Sequence, residues 1–517
     1  MIHLKVSAAV CVLLFSLSVH LEAQELEPTS PTPPSRVYYS VFVRSFCDSN
    51  GDGIGDIKGL TSKLDYLKDL GIQGLWLLPV HPSPTYHKND VSDYYSIDPE
   101  YGTLDDYKAL LIEAHKRNMV VLLDLVINHT SNQINWFREA TQSPKNKYRN
   151  FYIWSENPLD FKTEAFQWHA IRDKSGKALS GPKYHGSLWW TMPDLNFDNP
   201  KVRQEVFSIA SFWLQKVGVD GFRLDAAKYV YPENQTDKNI QWWSTFCQEA
   251  RKMNKEVILL GDIQGSAKEI APYLNDCMTA CFNYQLADSI RISLQQEIDH
   301  YILQTWWQIH DRYNKENSAF EDAIFLSNHN SNRVMTEIGN KTSKAKVAAS
   351  LLLTLPGNPF IYYGEEIGML GEKPDEFIRE PFLWDIEGTD PGQTHWEIPY
   401  SSSSQTVKPL KFQQDDPESL YRYYQELISI RNASAAISIG SFQPLIQSNR
   451  KIIAFYRSFD HEKVLVLINL SKDIQQISSP AQINEYKQLT GTHKVFKSGN
   501  GVVYLQPYAS FILRKTN

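Results

Sequence analysis

Cysteine is scarce, with 5 in 517 residues. Cys11 lies in the N-terminal apolar run, which leaves Cys47, Cys247, Cys277 and Cys281. Thiols so widely spread do not make a disulfide framework. Cys277 and Cys281 could share a helix face, but no His stands near at zinc spacing, so a zinc site there is not expected. Basic residues are in no surplus: 52 Lys+Arg against 59 Asp+Glu gives a net charge of -7. That balance excludes the basic footprint of a nucleic-acid partner. The longest N-terminal apolar run, Val6 to Val19, falls short of the ~20 residues that a membrane-spanning helix needs. Charged residues make up 21% of the chain, too few for a disordered polyelectrolyte.

Apolar residues account for 42%, and the 25 glycines raise this to an ordinary globular share. Aromatic residues reach 12%. Rings in that number fill a large core and also stack on sugars. The length predicts about three domains. Lys5, the apolar run and the small residue Ala23 read as a secretory signal over residues 1–23, with a short membrane anchor as the alternative. The expected location is secreted or periplasmic, without stable membrane insertion. Residues 24–35 carry Pro28, Pro31, Pro33 and Pro34, and read as a stiff linker with nothing to bury.

From Val37 onward, short apolar runs alternate with amphipathic stretches. Strands are predicted at Val37–Phe42, Gly74–Leu78, Met119–Val126, Gly221–Leu224, Glu256–Leu260 and Ala323–Leu326, with helices at Lys63–Leu70, Leu104–Arg117 and Val202–Val217. Continuous apolar strands alternating with helices mean parallel βαβ units. Their number fits an α/β (β/α)8 TIM barrel over 36–130 and 188–430, with a doubly wound sheet as the competitor. Residues 131–187 break the rhythm and read as a loop-rich insertion, domain B. Residues 431–517 read as a C-terminal antiparallel β-sandwich.

The loop Asp48-Ser49-Asn50-Gly51-Asp52-Gly53-Ile54-Gly55-Asp56 sets oxygen-bearing side chains at every second position. Hard cations such as Ca²⁺ take six to eight oxygens from flexible loops. The spacing mimics an EF-hand but fails at its last position, where Gly59 stands, and a strand rather than a helix precedes it. A structural Ca²⁺ loop of another type is expected, with side-chain oxygens from Asp48, Asn50, Asp52 and Asp56 and the carbonyl of Ile54. The alternative is an Asx-rich turn without metal.

Barrel chemistry sits at the C-terminal ends of strands. Those positions hold Asp124, Asn128, His129, Arg223, Asp225, Asp262, Asn328, His329 and Asn330. Converging carboxylates with His and Arg suit glycoside hydrolysis, in which a retaining enzyme sets a nucleophile and a protonated carboxyl ~5–5.5 Å apart. An adjacent Arg keeps the nucleophile ionised. With SNGDGIGDIKGL (49–60), NDVSDYYSIDPEYGT (89–103), VVLLDLVINHTS (120–131), MPDLNF (192–197), GFRLDAAK (221–228), LLGDIQG (259–265), FLSNHNSNR (325–333) and LPGNPFIYYGEEIGM (355–369), the chain resembles the α-amylase family, glycoside hydrolase family 13. The MPDLN stretch resembles the neopullulanase-like branch. The resemblance implies the barrel, domain B, the C-terminal sandwich, the Ca²⁺ loop and an α-linked glucan or maltooligosaccharide as partner. It makes Asp225 the nucleophile and Arg223 its partner, puts Asp90, His129, His329 and Arg333 around the sugar, and turns Lys228 toward the leaving group.

Three positions depart from that pattern. The family acid/base is a Glu, here Asp262. The third carboxylate is here Asn330. The stacking Tyr is here Asn89. Asp is one methylene shorter than Glu, so its carboxyl retreats by roughly 1.5 Å, and a misplacement of about 1 Å can cost on the order of 10²-fold. Retreat also widens the gap to Asp225 toward the separation of inverting enzymes. Asn330 withdraws a charge from the oxocarbenium-like transition state, and Asn89 removes a platform. Three functions compete on this reading: a weakened retaining hydrolase, a non-catalytic glucan-binding protein on the same scaffold, and a protein-interaction subunit like the transporter heavy chains that resemble α-glucosidases. The last carry a membrane-spanning anchor, which the short apolar run does not supply.

Overall fold

In the computed structural model, the described residues are 24–25, 35–157, 167–173, 175–275, 277–386, 389–478, 483–493, 497–499 and 501–516. The signal read over 1–23 and most of the linker lie outside them. Eight parallel strands close into a barrel in sequence order. They are β1 (Tyr38–Val41), β2 (Gly74–Leu77), β3 (Val120–Leu125), β4 (Gly221–Leu224), β5 (Ile258–Gly261), β6 (Ala280–Phe282), β7 (Glu321–Phe325) and β8 (Asn358–Tyr362). The apolar strands are buried along nearly their whole length, as strands walled by helices must be. β6 and β8 were not read from the sequence; β6 is only three residues long, and Asn358-Pro359 opens β8.

Local chemistry sets the helix ends. Thr103 and Asp106 form a reciprocal capping box at the start of Leu104–Lys116. Asn199 caps Pro200–Ser211, with Pro200 at the first turn, where its missing N–H costs nothing. Gly71 closes Leu64–Leu70 at φ 97, a left-handed position that a side chain would strain. Each cap contributes about 1 kcal/mol. The helix read over Val202–Val217 is α-helical to Ser211 and then widens into a π-turn over Phe212–Val217.

Between β3 and β4 the chain leaves the barrel and forms an antiparallel sheet of Trp154–Ser155, Ala178–His185 and Trp168–Arg172. Beyond the barrel lie a six-stranded and a three-stranded antiparallel sheet. Gln24–Glu25 pairs with Leu445 and Ile446 at the edge of the larger one, so the start of the segment read as linker adds a strand there. The helix face that Cys277 and Cys281 could share is not formed: Cys277 lies in a turn and Cys281 on β6. Cys247 and Cys277 form a disulfide, while Cys47 and Cys281 are free and buried. Helix Thr236–Met253 brings Cys247 against the turn before β6, a proximity that spacing along the chain does not reveal. Among the described residues, no helix is long and apolar enough to cross a membrane.

Candidate active site

Register builds the site. Asp124 on β3 pairs with Arg223 on β4, and Arg223 with Leu260 on β5. Partners in a parallel ladder point to the same face, so Asp124 and Arg223 both enter the barrel, and the two-residue period sends Asp225 the same way. The N–H of Asp225 donates to Leu125 O and that of Asp262 to Leu224 O, which extends the ladder past the strand ends and fixes both backbones.

Arg223, 1% exposed, is the hub. Its Nη1 donates to both oxygens of Asp124, at 2.8 and 3.0 Å, and to Asp225 Oδ1 at 2.5 Å. Its Nη2 donates to Asp262 Oδ2. The other oxygen of Asp262 accepts the Tyr284 hydroxyl at 2.6 Å. Tyr284 itself receives Asn328 Nδ2 at 3.5 Å. The Trp76 indole N–H supports Asp124 at 3.2 Å. Burial pushes the Asp124 carboxyl up against the pull of Arg223, while its three acidic partners, opposing burial, hold the guanidinium charged. One cation thus gathers the predicted nucleophile and the predicted acid, with Asp124 behind them. Ala226 follows Asp225 in a left-handed conformation at φ 48, which throws the Ala227 carbonyl onto Trp243 Nε1 at 2.7 Å and Asn239 Nδ2 at 2.9 Å.

A second group gathers Asp90, His129, His329 and Asn330. His129 is fully buried, and its Nε2 lies 3.1 Å from the Asn89 carbonyl. Asp90 is also fully buried; its Oδ1 accepts the hydroxyls of Ser83, at 2.6 Å, and Thr85, while its Oδ2 has no partner among the described residues. His329 rests edge-on against Trp76, at 5.4 Å, and its buried Nδ1 has no partner among the described residues. Burial, with Arg223 and other cations nearby, drives its pKa well below the usual value, so the imidazole is neutral. Asn330 Oδ1 lies 3.4 Å from Arg379 Nη2. Arg379 also donates to the His329 carbonyl and to Asp375, the latter at 2.6 Å.

Two expected residues make their recorded contacts outside the hub. Arg333 is 1% exposed and donates to the carbonyls of Ile378 and Tyr363 at 3.1 and 2.7 Å, with its guanidinium over the Tyr362 and Tyr363 rings. Arg333 precedes the short helix Val334–Glu337, and its N–H and Nε bind Gly371 O and Ile378 O. Lys228 donates to Glu269 at 3.1 Å. Conversely, Tyr284, Arg379 and His87 belong to the group and were not read from the sequence. His87 feels Asp90, Arg379, Asp375 and His129. No short motif marks Tyr284 or Arg379; only the barrel closure brings them in.

The acidic loop coils on Gly51 and Gly53, at φ 82 and 89. Asp48 Oδ1 accepts the N–H groups of Asn50 and Gly51 at 2.9 and 2.7 Å, and its Oδ2 accepts that of Gly53 at 2.7 Å. Asn50 and Asp52 receive the N–H groups of Asp52 and Ile54. Asp56 caps the next helix through Gly59 N at 2.7 Å and binds Ser49. The donors are all oxygen, the chemistry a hard cation takes. Among the described residues, no group of three or more His, Cys, Asp or Glu side chains is gathered as for a metal.

The family model for the α-amylase catalytic domain matches residues 40–440, most of the chain. The chain belongs to the α-amylase family. A second model, the C-terminal domain of the α-amylase SusG, matches residues 452–512. The chain is 41% identical over 484 residues to α-amylase 3 of Dictyoglomus thermophilum, covering 94% of each chain. It is 30% identical to an oligo-1,6-glucosidase of Bacillus cereus, over 92% of this chain and 98% of that one. The crystal structure of an α-amylase from H. orenii superposes with a TM-score of 0.83 at 36% identity, over 94% of this chain and 100% of the other. Asp225 and Asp262 follow directly on the C-terminal ends of β4 and β5.

Proposed function

We propose that the chain binds α-linked glucans or maltooligosaccharides in this cleft and cleaves them by retaining hydrolysis, far more slowly than a member of the family with an intact triad. Asp225 is the nucleophile, Asp262 occupies the place of the acid/base, and Asn330 is a neutral hydrogen-bonding group. Relatives named α-amylase and oligo-1,6-glucosidase support an α-linked substrate. The unpartnered buried Asp90 Oδ2 and His329 Nδ1 support a polyhydroxyl ligand, since buried polar atoms require partners and sugar hydroxyls can both donate and accept.

The observation that carries the weakened reading is the double engagement of Asp262. Arg223 takes one oxygen and the Tyr284 hydroxyl donates to the other, so both oxygens act as acceptors of a carboxylate. A general acid must present an O–H to the glycosidic oxygen within ~2.6–3.2 Å. Both oxygens are turned to donors of the barrel wall, and neither is directed at a glycosidic oxygen. The same observation favours the second reading, a glucan-binding protein without turnover. Incubation with an activated maltoside, with detection of the product anomer, separates the two. Slow release of the retained anomer supports hydrolysis, absence of product with bound ligand supports the binder, and the inverted anomer rejects Asp225 as nucleophile.

The loop Asp48–Asp56 is proposed to hold a structural Ca²⁺ through Asp48, Asn50, Asp52, Asp56 and the Ile54 carbonyl. Secretion is proposed on the apolar run and small residue of the N-terminus. The Cys247–Cys277 disulfide suits the oxidising compartment this implies.

A further inference from the structure

Three consecutive apolar side chains stand in solvent on the loop that leads into Asp194. Leu188 is 45% exposed, Trp189 60% and Trp190 39%. Tryptophan is among the costliest side chains to leave in water, and single exposed Leu residues are ordinary where paired indoles are not.

The backbone that carries them is fastened. His185 and Asp194 close the loop, with Asp194 N donating to His185 O at 3.0 Å and His185 Nδ1 lying 2.8 Å from Asp194 Oδ2. Ser187 N donates to the same carboxylate oxygen at 3.0 Å. The Tyr184 hydroxyl holds the Trp190 carbonyl at 2.5 Å, and Met192 N holds that of Trp189 at 3.0 Å. A Cβ on Gly186 would come within 2.9 Å of Trp189 O and 3.0 Å of Met192 O, so the turn closes tightly on itself. The Arg172 guanidinium lies over the Trp190 ring at 5.5 Å. Rigid backbone under exposed indoles is the condition for binding at small entropic cost.

This loop is continuous with the site. Asp194 forms an antiparallel bridge with His129, Thr130 N donates to Pro193 O, and Asn132 N donates to Thr191 O. Asn128 Nδ2 reaches Asp194 Oδ1 at 3.4 Å. The segment that carries His129 is therefore the one to which the Trp189–Trp190 loop is fastened.

We propose that Trp189 and Trp190 form a stacking platform for glucose units lying beyond the sugar in the cleavage site. The apolar C–H face of a pyranose covers an indole. The occupant is an extended α-linked chain, so the platform discriminates by length. This rests on the glucan reading above, and the test separates the two.

The experiment titrates the full chain and a Trp189→Ala/Trp190→Ala variant with maltoheptaose and with maltose, by calorimetry. The expected result is about tenfold weaker binding of maltoheptaose by the variant, ~1.4 kcal/mol, with maltose affinity unchanged. A Trp189→Tyr/Trp190→Tyr variant should retain most of the affinity. Equal maltoheptaose affinity in wild type and the Ala variant overturns the platform and leaves the glucan reading standing. Equal losses for both sugars also overturn it, since they mark damage to the cleft itself. Failure of the wild-type chain to bind either sugar overturns both readings. Both side chains are exposed, so thermal unfolding of the variants should match the wild type, and a lowered midpoint would count against a pure surface role.

Discussion

Tyr284 donates its hydroxyl to Asp262 Oδ1 at 2.6 Å, while Arg223 holds the opposite oxygen. Asp262 is therefore turned into the wall of the barrel, toward β6 and the hub, by two donors that its short side chain can just reach. A Glu has one more methylene with which to leave the wall. The side chain of Asp262 is 10% exposed and that of Asp225 16%, so the pair sits at the mouth rather than deep in the core. This makes the substitution a question of reach, not of folding.

Replacing Asp262 with Glu and Asn330 with Asp should raise the rate on an activated maltoside by at least about 10²-fold, the scale of a misplacement of about 1 Å. The new carboxylate at 330 would add an electrostatic contribution of the kind worth ~3–4 kcal/mol elsewhere. The two changes act on one transition state, so their effects should not add. Initial rates for the single and double variants check this. Equal rates for wild type and double variant would reject the assigned roles.

Asn89→Tyr should act differently. Position 89 adjoins His129 through its own carbonyl and Asp90 through the chain. A ring there would stack on the sugar in ground and transition states alike, lowering KM or Kd and leaving kcat nearly unchanged. Calorimetry with a maltooligosaccharide alongside turnover kinetics reads both. A change in kcat without a change in affinity would contradict the stacking role.

Much of this was readable from the chain because each signal was local. Apolar runs marked most barrel strands, and the Arg223-Leu224-Asp225 spacing put two site residues on one face. What escaped depended on closure. Tyr284 follows the short strand β6, Arg379 lies on a loop after β8, and Cys247 meets Cys277 only when a helix packs on the barrel. Arg333 sits near His329 in sequence, yet its side chain turns back under Tyr363, a direction that spacing alone does not give.

Arg223→Met should destabilise the fold. Removing the one cation leaves Asp124, fully buried, with Asp225 and Asp262 close by and no counter-charge. Breaking a buried ion pair from one side costs about 3–5 kcal/mol. Urea unfolding at neutral pH measures it. Adding Asp124→Asn should recover part of the loss, because the penalty is charge and not volume. No recovery would assign the loss to packing.

Ca²⁺ should raise the unfolding temperature, and a chelator should lower it, if the Asp48–Asp56 loop holds the ion, by linkage between binding and folding. Asp52→Ala removes one proposed ligand from an exposed position while leaving the Asp56 helix cap intact. It should abolish the Ca²⁺ dependence. A melting midpoint indifferent to Ca²⁺ and chelator in the wild type would leave the loop as a set of Asx turns.

Acid should weaken the fold through His81. Its ring is fully buried between Tyr94 and Trp213, with Nδ1 3.1 Å from the Ser96 carbonyl, and burial lowers its pKa to about 4. The unfolded chain takes up a proton at this residue below about pH 6.5, whereas the folded chain takes it up only near pH 4. Between those values the unfolded state binds more protons, so the stabilisation is fully present above pH 6.5 and is lost progressively as pH falls. The full interval is worth about 3 kcal/mol. His329 acts in the same direction, since its pKa is also driven down. Urea unfolding at pH 7 and pH 4.5 should show a smaller acid loss for His81→Asn than for the wild type, because Asn can keep a donor to Ser96 and carries no titrating group. Identical losses for the two proteins would place the acid sensitivity elsewhere.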